Sequence, residues 1–469
     1  WGDISDKIGD EAEYFGVLLE KSIYYPLAQW SIAYLGAVII PIDISFEVHT
    51  IRQWIQIFRC TSLICSIYTL CSIILQLFPS DNLQNIKQIY LFCDEDDLKK
   101  FKESFFNESN PFLEDLSIEE NIGRILNVSV YSLPQMVIPK IKKKHRNPEP
   151  QFVESKIFTP LPKKIKIFNE ADEDEISDVE IEVESDSLSL NDEETENFLS
   201  SRPPIEPDTL CALNAGTGRC NLLKQCHLTH KNLIAAASGI KSCGYKFGRD
   251  IYMSNIPMHR VVERSMQLAI LVNGGCIGFF DLEYEANDIL TYLNDLKPTI
   301  LVLTGDVMKQ LYDELFSYLT NQSIFIRLFY DFCFSLMQQA AEAVSEVPWL
   351  AKVLVVERLQ KVTGGRLKLL ISATSYLDKV AQHSLRTMLQ IPVIQLYGVT
   401  ECGGVCCVQN IYDHKVYNIG PPTTSCEIMI RNFDLAFSKV QNQGYGEILI
   451  RGPNVFKCYH KNPDLTKQY

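Results

Sequence analysis

The stretch Ile391-Pro392-Val393-Ile394-Gln395-Leu396-Tyr397-Gly398-Val399-Thr400-Glu401-Cys402-Gly403-Gly404 decides the fold. Val393 to Leu396 are short, apolar and partly β-branched, and polar groups then arrive abruptly, which predicts a buried strand delivering them at its carboxyl end. Open α/β sheets bind ligands at that edge. Gly398 lets backbone approach a ligand closely, Thr400 offers a hydroxyl, Tyr397 a flat ring, and Glu401 a hard carboxylate suited to magnesium. Together they suit a nucleotide phosphate with its metal. On composition alone, a strand ending in an ordinary capped turn competes on equal terms, and the rest of the chain decides between the two.

A chain of 469 residues with 46% hydrophobic content is long enough for large cores and more than one lobe. Glu170 to Glu196 carries 14 carboxylates and no Lys or Arg, which equals the whole formal charge of -14 and leaves the remainder near neutral. Nothing in this balance favours nucleic acid. The 15 cysteines are scattered and often sit in apolar runs, as at Cys65, Cys71 and Cys276, which predicts buried thiols in a reducing compartment. Cys220, Cys226, His227 and His230 match no common zinc spacing. Cys60 to Phe78 carries no charge, but Ser66, Thr69, Ser72 and Gln76 interrupt it, so Thr61 to Ser66 reads as a strand followed by a buried helix rather than a membrane span.

Phe15 to Leu19, a helix carrying Trp30 and Leu35, and Gly36 to Pro41 read as β-α-β. Thr50 to Ile64 and Gln88 to Cys93 continue the alternation. Residues 1–138 form a first α/β lobe. From Pro139 a basic cluster, Lys140 to Arg146, gives way to prolines and then to the acidic, serine-bearing run, so residues 139–207 read as a disordered charged insert. A passive solvated loop is the first expectation for it; contact with an anionic membrane, or phosphorylation at Ser177, Ser185 or Ser187, is the second. Residues 208–405 make a second α/β lobe holding the nucleotide site, and residues 406–469 a β-rich lobe.

Thr209 to Leu213 is a strand candidate, followed by Asn214-Ala215-Gly216-Thr217-Gly218-Arg219 and then Lys224. A small-residue loop leading to a helix offers backbone amides and a helix dipole to phosphate, with Lys224 as counter-charge. Thr229 would cap that helix, with Leu233, Ala236, Ala237 and Ile240 on one face.

Tyr397 to Glu401 resembles the Tyr-Gly-x-Thr-Glu motif of the adenylate-forming superfamily, and the chain from about Phe15 onward resembles its long-chain fatty acid:CoA ligases. Gly216 to Lys224, with Leu228-Thr229-His230, resembles the family's phosphate loop, although Arg219, Cys220 and Leu223 replace two threonines and a proline. Pro257 to Arg264 resembles Pro-Leu-Ala-His-x-Phe-Glu-Arg, with Arg260 at the histidine position near the acyl and adenylate junction and Glu263 with Arg264 as a structural ion pair. Ser372 to Leu377 resembles the element bordering adenine, with Ala373 and Thr374 as small residues. Leu311 to Lys361 resembles the helical excursion of the long-chain branch, and Tyr417 to Pro422 and Gly446 to Tyr459 resemble segments of the family's β-rich lobe.

The resemblance implies the large amino-terminal α/β domain of an adenylate-forming enzyme, short at both ends, the segment holding ribose and the mobile carboxyl-terminal domain lying beyond Tyr469. It implies ATP, Mg2+ and CoA, a long-chain fatty acid as substrate, and a place in the cytoplasm or on the cytoplasmic side of intracellular membranes, foremost the endoplasmic reticulum, with peripheral membrane contact. Lys224, Glu401 and Arg260 would serve catalysis, Glu401 would hold the metal, and Thr217, Gly218, Ala373, Thr374, Tyr397, Gly398 and Thr400 would bind nucleotide. The altered loop and Arg260 equally fit a diverged homologue that binds without turnover, and the short ends fit an incomplete gene product.

Overall fold

Strands buried on both faces dictate the architecture, because such strands need helices on either side. The computed structural model describes residues 13–77, 85–92, 126, 129–133, 205–216, 224–279, 289–320, 328, 332–333, 335–336, 349–431 and 446–468. All but Ile205 fall in a single compact unit, Trp1–Gln135 with Glu206–Tyr469. The charged insert lies outside the described residues apart from its last three: the Pro207 carbonyl accepts the Lys231 N–H at 2.8 Å, so chain assigned to the insert belongs to the fold.

The first sheet holds β1 (Tyr14–Leu18), β2 (Val38–Pro41), β3 (Ser62–Ser66), β4 (Gln88–Phe92), β5 (Ser129–Leu133), β6 (Leu210–Ala215) and β7 (Gln225–Thr229), in the order β5-β4-β3-β1-β2-β6-β7. Only β7 runs antiparallel, as the return strand of a hairpin with β6. The second lobe expected from residue 208 therefore gives its first two strands to the first sheet. The second sheet holds β8 (Ile251–Met253), β9 (Cys276–Gly278), β10 (Ile300–Leu303), β11 (Leu369–Ser372), β12 (Val393–Tyr397) and β13 (Cys407–Val408), in the order β13-β12-β11-β10-β8-β9. β14 (Glu427–Arg431) and β15 (Glu447–Arg451) form a separate antiparallel ribbon, where the β-rich lobe is expected.

Helices complete the layers. α1 (Tyr24–Tyr34) and α2 (Val48–Ile57) cover opposite faces of the first sheet: Tyr25, Ala28 and Ile32 join one core cluster, Ile51, Trp54 and Ile55 the other. α3 (His230–Gly239) and α4 (Val261–Val272) lie between the sheets, sending Leu233 and Val261 to the first and Ala236, Ala237, Val262 and Met266 to the second. α5 (Gly305–Thr320) and α6 (Lys379–Leu389) pack Met308, Leu311, Leu385 and Met388 on the outer face of the second sheet. The result is α/β/α/β/α layering.

Local chemistry explains several boundaries. The Thr229 hydroxyl accepts the Asn232 N–H at 3.3 Å while the Asn232 side chain accepts the Thr229 N–H at 2.9 Å, a reciprocal cap that starts α3 where the sequence predicts it. Asp378 accepts the N–H groups of Val380 and Ala381, and Gln390 ends α6 in the left-handed region at φ 54°. The uncharged segment after β3 forms irregular helical turns up to Leu77, and among the described residues no helix is long and apolar enough to cross a membrane. Cys65 is buried as expected, whereas Cys71 and Cys276 are exposed. The first faces out from one of those turns, and the second opens the edge strand β9.

Gly305, opening α5, shows how tightly the carboxyl edge of the second sheet is assembled: a Cβ there would sit 1.9 Å from the Tyr376 carbonyl oxygen. Gly305→Ala is expected to cost about 2–4 kcal/mol of stability. Gly248→Ala, with nothing within 4 Å of the added methyl, should stay within about 0.5 kcal/mol of wild type. Urea unfolding of both variants measures the contrast.

Candidate functional site

β12 ends at Tyr397, and the chain turns at once into a short 3-10 turn, Thr400–Cys402, closed by Gly403 and Gly404 in the left-handed region. Gly398 is required here for a reason the sequence did not reveal: its α-carbon lies against the returning chain, where a Cβ would stand 2.1 Å from the Gly404 carbonyl oxygen. That close contact is with the chain itself, at Gly404. Tyr397 is half-buried on Cys402, Cys406 and Cys407. Below it three buried glutamines fix the strand, with Gln382 Nε2 donating to the Gln409 side chain at 2.9 Å and Gln395 Nε2 to the Gln382 side chain at 3.1 Å.

Glu401 reaches the stem of the β6-β7 hairpin. A Cβ on Gly216 would lie 2.9 Å from Glu401 Oε1, 3.0 Å from Lys224 Cβ and 3.2 Å from Cys226 Sγ, so the absence of a side chain there lets carboxylate and loop meet. The Gly216 N–H donates to the Lys224 carbonyl at 2.6 Å and closes the loop. Thr217 and Gly218 lie outside the described residues. The loop does not lead directly into a helix: Gln225 to Thr229 pair with β6 as a strand, and α3 starts only at His230. Gln225, Cys226, His227, Leu228 and Thr229 are all buried, and that continuous burial favours a strand at the sheet edge over an amphipathic helix.

Two further elements hold Glu401. The Cys226 thiol donates to its carboxylate, and burial followed by the Glu401 charge pushes that thiol far above its usual pKa, so it stays protonated. Tyr459 Oη donates to Glu401 Oε1 at 2.9 Å. Tyr459 belongs to a strap, Pro453 to His460, that adds to the free edge of β7: His227 N–H donates to the Cys458 carbonyl at 3.0 Å, Lys457 N–H to the His227 carbonyl at 3.1 Å, and His460 N–H to the Gln225 carbonyl at 2.7 Å. Phe456 N–H donates to the Glu401 carbonyl at 2.8 Å. Asn454 Nδ2 donates to the Val405 carbonyl at 2.9 Å, so the strap grips the turn on both sides of Gly403.

Arg260 comes to the same place from α4. It is the exposed N-cap residue, and the first turn of α4 packs on the Glu401 turn, where a Cβ on Gly404 would meet Val262 N at 2.7 Å; Ser265 Oγ also donates to the Gly403 carbonyl. Glu263 and Arg264 do not pair with each other, because consecutive helical residues point about 100° apart. Glu263 is fully buried and accepts from Tyr252 Oη at 2.5 Å, Ser254 Oγ at 2.7 Å and Gln267 Nε2 at 2.9 Å. Burial raises its pKa despite these donors and the nearby Lys21 charge. Arg264 instead donates to Gln29 of α1 and Asn214 of β6. His259, beside Arg260, places Nδ1 3.2 Å from Asp43 Oδ2.

On the other side of β12 the register sets Ser372 opposite Gln395, which puts Ala373 and Thr374 beside Leu396 and Tyr397 at the carboxyl edge. Ala373 is buried, and Thr374 is exposed with φ at 69°. The structure thus brings Lys224, Arg260, Gly398, Thr400 and Glu401 around one turn, with Ala373, Thr374 and Tyr397 on the flank of the same strand end. Gly216, Cys226 and Tyr459 were missed as site residues; Tyr459 had stood out in sequence only as the end of the Gly446 segment. Among the described residues no three His, Cys, Asp or Glu side chains group to hold a metal. A single carboxylate suits Mg2+ that arrives on phosphate oxygens with its own waters, whereas the protonated Cys226 thiol does not suit that ion.

The AMP-binding enzyme family model matches residues 9–460. The chain belongs to the AMP-binding enzymes. Among curated relatives of this AMP-binding chain, fatty acyl-CoA synthetase A of Dictyostelium discoideum is 31% identical over 267 residues, 56% of this chain and 39% of that protein. Human long-chain-fatty-acid--CoA ligase 6 is 28% identical over 281 residues, 58% of this chain and 39% of that protein. The matched stretch thus spans about two fifths of these relatives. Its fold is that of the A domain of carboxylic acid reductase from Segniliparus rugosus, solved with AMP and a co-purified carboxylic acid, at TM-score 0.57 and 13% identity over 97% of this chain and 58% of that one. The N-terminal domain of FACL13 from Mycobacterium tuberculosis matches at TM-score 0.54 and 13% identity over 97% of this chain and 80% of that one.

The seam between β7 and the strap holds two histidines, buried His227 with its pKa lowered to about 3 and half-buried His460 with its pKa lowered to about 4, chiefly by desolvation. Both folded values lie below the ordinary 6.5, so the unfolded chain takes up the protons first and stability falls as pH drops from 6.5 toward 4. His227→Gln should flatten the pH dependence of stability in that window by up to about 1.4 kcal/mol per pH unit. Unfolding titrations at pH 6.5, 5.5 and 4.5 measure the slope.

Proposed function

We propose that this chain forms the nucleotide-handling part of an ATP-dependent ligase that converts long-chain fatty acids to acyl-CoA through an acyl-adenylate. The observation that carries this reading is the meeting of Glu401 and Lys224 at the stem of a small-residue hairpin around Gly216. A carboxylate beside a loop stem that carries a lysine suits a triphosphate with its metal. The fatty substrate is supported by relatives named fatty acyl-CoA synthetase and long-chain-fatty-acid--CoA ligase. Such a substrate partitions into bilayers, which fits work in the cytoplasm or at the cytoplasmic face of intracellular membranes such as the endoplasmic reticulum.

In the first step a fatty carboxylate oxygen bonds the α-phosphorus of ATP as the bond to the bridging oxygen breaks, and pyrophosphate leaves with that electron pair. In the second, the CoA sulfur bonds the acyl carbonyl carbon, the thiol proton is lost and AMP departs. Bound Mg2+ supplies positive charge to the phosphate oxygens. Glu401 would hold that ion, Thr400 and the loop residues Thr217 and Gly218 would contact phosphate, and Lys224 would meet the leaving charge. Ala373 and Thr374 would border adenine with backbone while the Tyr397 ring lies against it. Arg260, exposed at the start of α4, would take carboxylate or phosphate charge. Catalysis of this kind is positioning and charge neutralisation.

A second reading, a homologue that binds nucleotide or acyl group without turnover, is favoured by the same Arg260. It puts a permanent cation at a helix N-terminus, where the backbone dipole is already positive. Calorimetric titration of ATP with and without Mg2+ tests the proposal. Glu401→Gln, which keeps shape and removes charge, should weaken binding about tenfold with Mg2+ and leave Mg2+-free binding unchanged, a difference of about 1.4 kcal/mol. Equal losses in both conditions would remove Glu401 from the metal, and no ATP binding by the folded wild-type protein with its carboxyl-terminal domain would overturn the ligase reading.

A further inference from the structure

We infer that Tyr459 is a positioning residue for Glu401, its phenol fixing the carboxylate in the orientation that meets a nucleotide-borne cation. The inference rests on the reading of Glu401 as the metal-facing group. Tyr459 is 1% exposed, its ring packs edge-on against Phe456 at 4.7 Å, and its N–H donates to Thr466 Oγ1 at 3.0 Å. Its backbone bridges to Cys226, so the residue that donates to Glu401 from one side is tied to the residue that donates from the other. The phenol therefore has little freedom to follow a carboxylate that swings.

The chemistry of the two donors matters as much as their placement. A phenol and a protonated thiol are neutral, so they orient the carboxylate without cancelling the charge that a divalent cation needs. A lysine or arginine in either place would hold Glu401 as firmly and neutralise it. The strap also links this carboxylate to the phosphate loop, because the β7 edge on which it lies is the return strand of the Gly216 to Lys224 hairpin. Movement of the strap would displace the metal carboxylate and the loop lysine together.

Tyr459→Phe removes only the hydroxyl and keeps the ring, which makes it the first variant to measure. With ATP as ligand, it should lose about threefold to tenfold in affinity in the presence of Mg2+ and be unchanged without Mg2+. Cys226→Val removes the second donor at similar volume and should lose less, in the same Mg2+-dependent manner, while Cys226→Ser keeps a donor and should bind like wild type. Thermal unfolding of each variant reports folding separately. Wild-type binding with Tyr459→Phe unaffected, or weakened equally with and without Mg2+, would overturn this inference alone. Absence of ATP binding by the folded wild-type protein with its carboxyl-terminal domain would overturn the ligase reading and this inference together.

Discussion

The side chain of Asn232 is the contact on which the site depends. Its oxygen accepts the Thr229 N–H and so starts α3, while its Nδ2 donates to the carbonyls of Pro453 at 2.9 Å and Val455 at 2.7 Å, more than 220 residues further along the chain. One amide thus fixes a helix start and fastens the strap across it. A buried amide that loses such partners costs about 1–3 kcal/mol for each unsatisfied group. Here the loss would also free the two strap carbonyls. Glu401, Lys224 and Cys226 keep their mutual placement because the strap cannot slide.

The lobes are joined by a similar use of buried polar groups. Arg264 reaches Gln29 and Asn214 in the first sheet's layer, and Glu263, its neighbour in sequence, reaches Tyr252 and Ser254 in the second. Both side chains are nearly inaccessible to solvent. Charge buried in this manner needs hydrogen-bond partners around it, and here those partners come from elements that must be in register, although Arg264 Nη2 is left without one among the described residues. Lys21 adds to this polar seam by donating to the Asn255 carbonyl, and burial lowers its pKa to about 8 against the raising effect of Glu263. The relative placement of the two sheets is thereby coupled to the chemistry of α4, which also carries Arg260.

Much of this was legible in sequence. Apolar runs of four or five residues marked β1, β3 and β12, because a strand buried on both faces has little choice of residue. The cap at Thr229 and the four apolar positions after it located α3, since capping and helical spacing are local properties. What escaped was non-local or short-range steric. No periodicity tells that Gly398 makes room for Gly404, that Tyr459 bonds Glu401, or that the residues between loop and helix turn back as β7. The exposed thiols of Cys71 and Cys276 escaped for a related reason: an apolar neighbourhood in sequence does not say which side of a turn faces water.

The strap also governs when the site can exist during synthesis. β7 lies at the edge of its sheet, and the backbone of His227 waits for Cys458, 231 residues later. At about 5–20 residues per second, the ribosome leaves that edge without its partner for roughly 10–50 s. The exposed strand would include Cys226 and Leu228, both fully covered in the finished fold. Unpaired apolar edges of this sort recruit other strands. The interval before the strap arrives is therefore when a nascent chain depends most on chaperones, and a slow codon or stall between residues 230 and 453 would lengthen it.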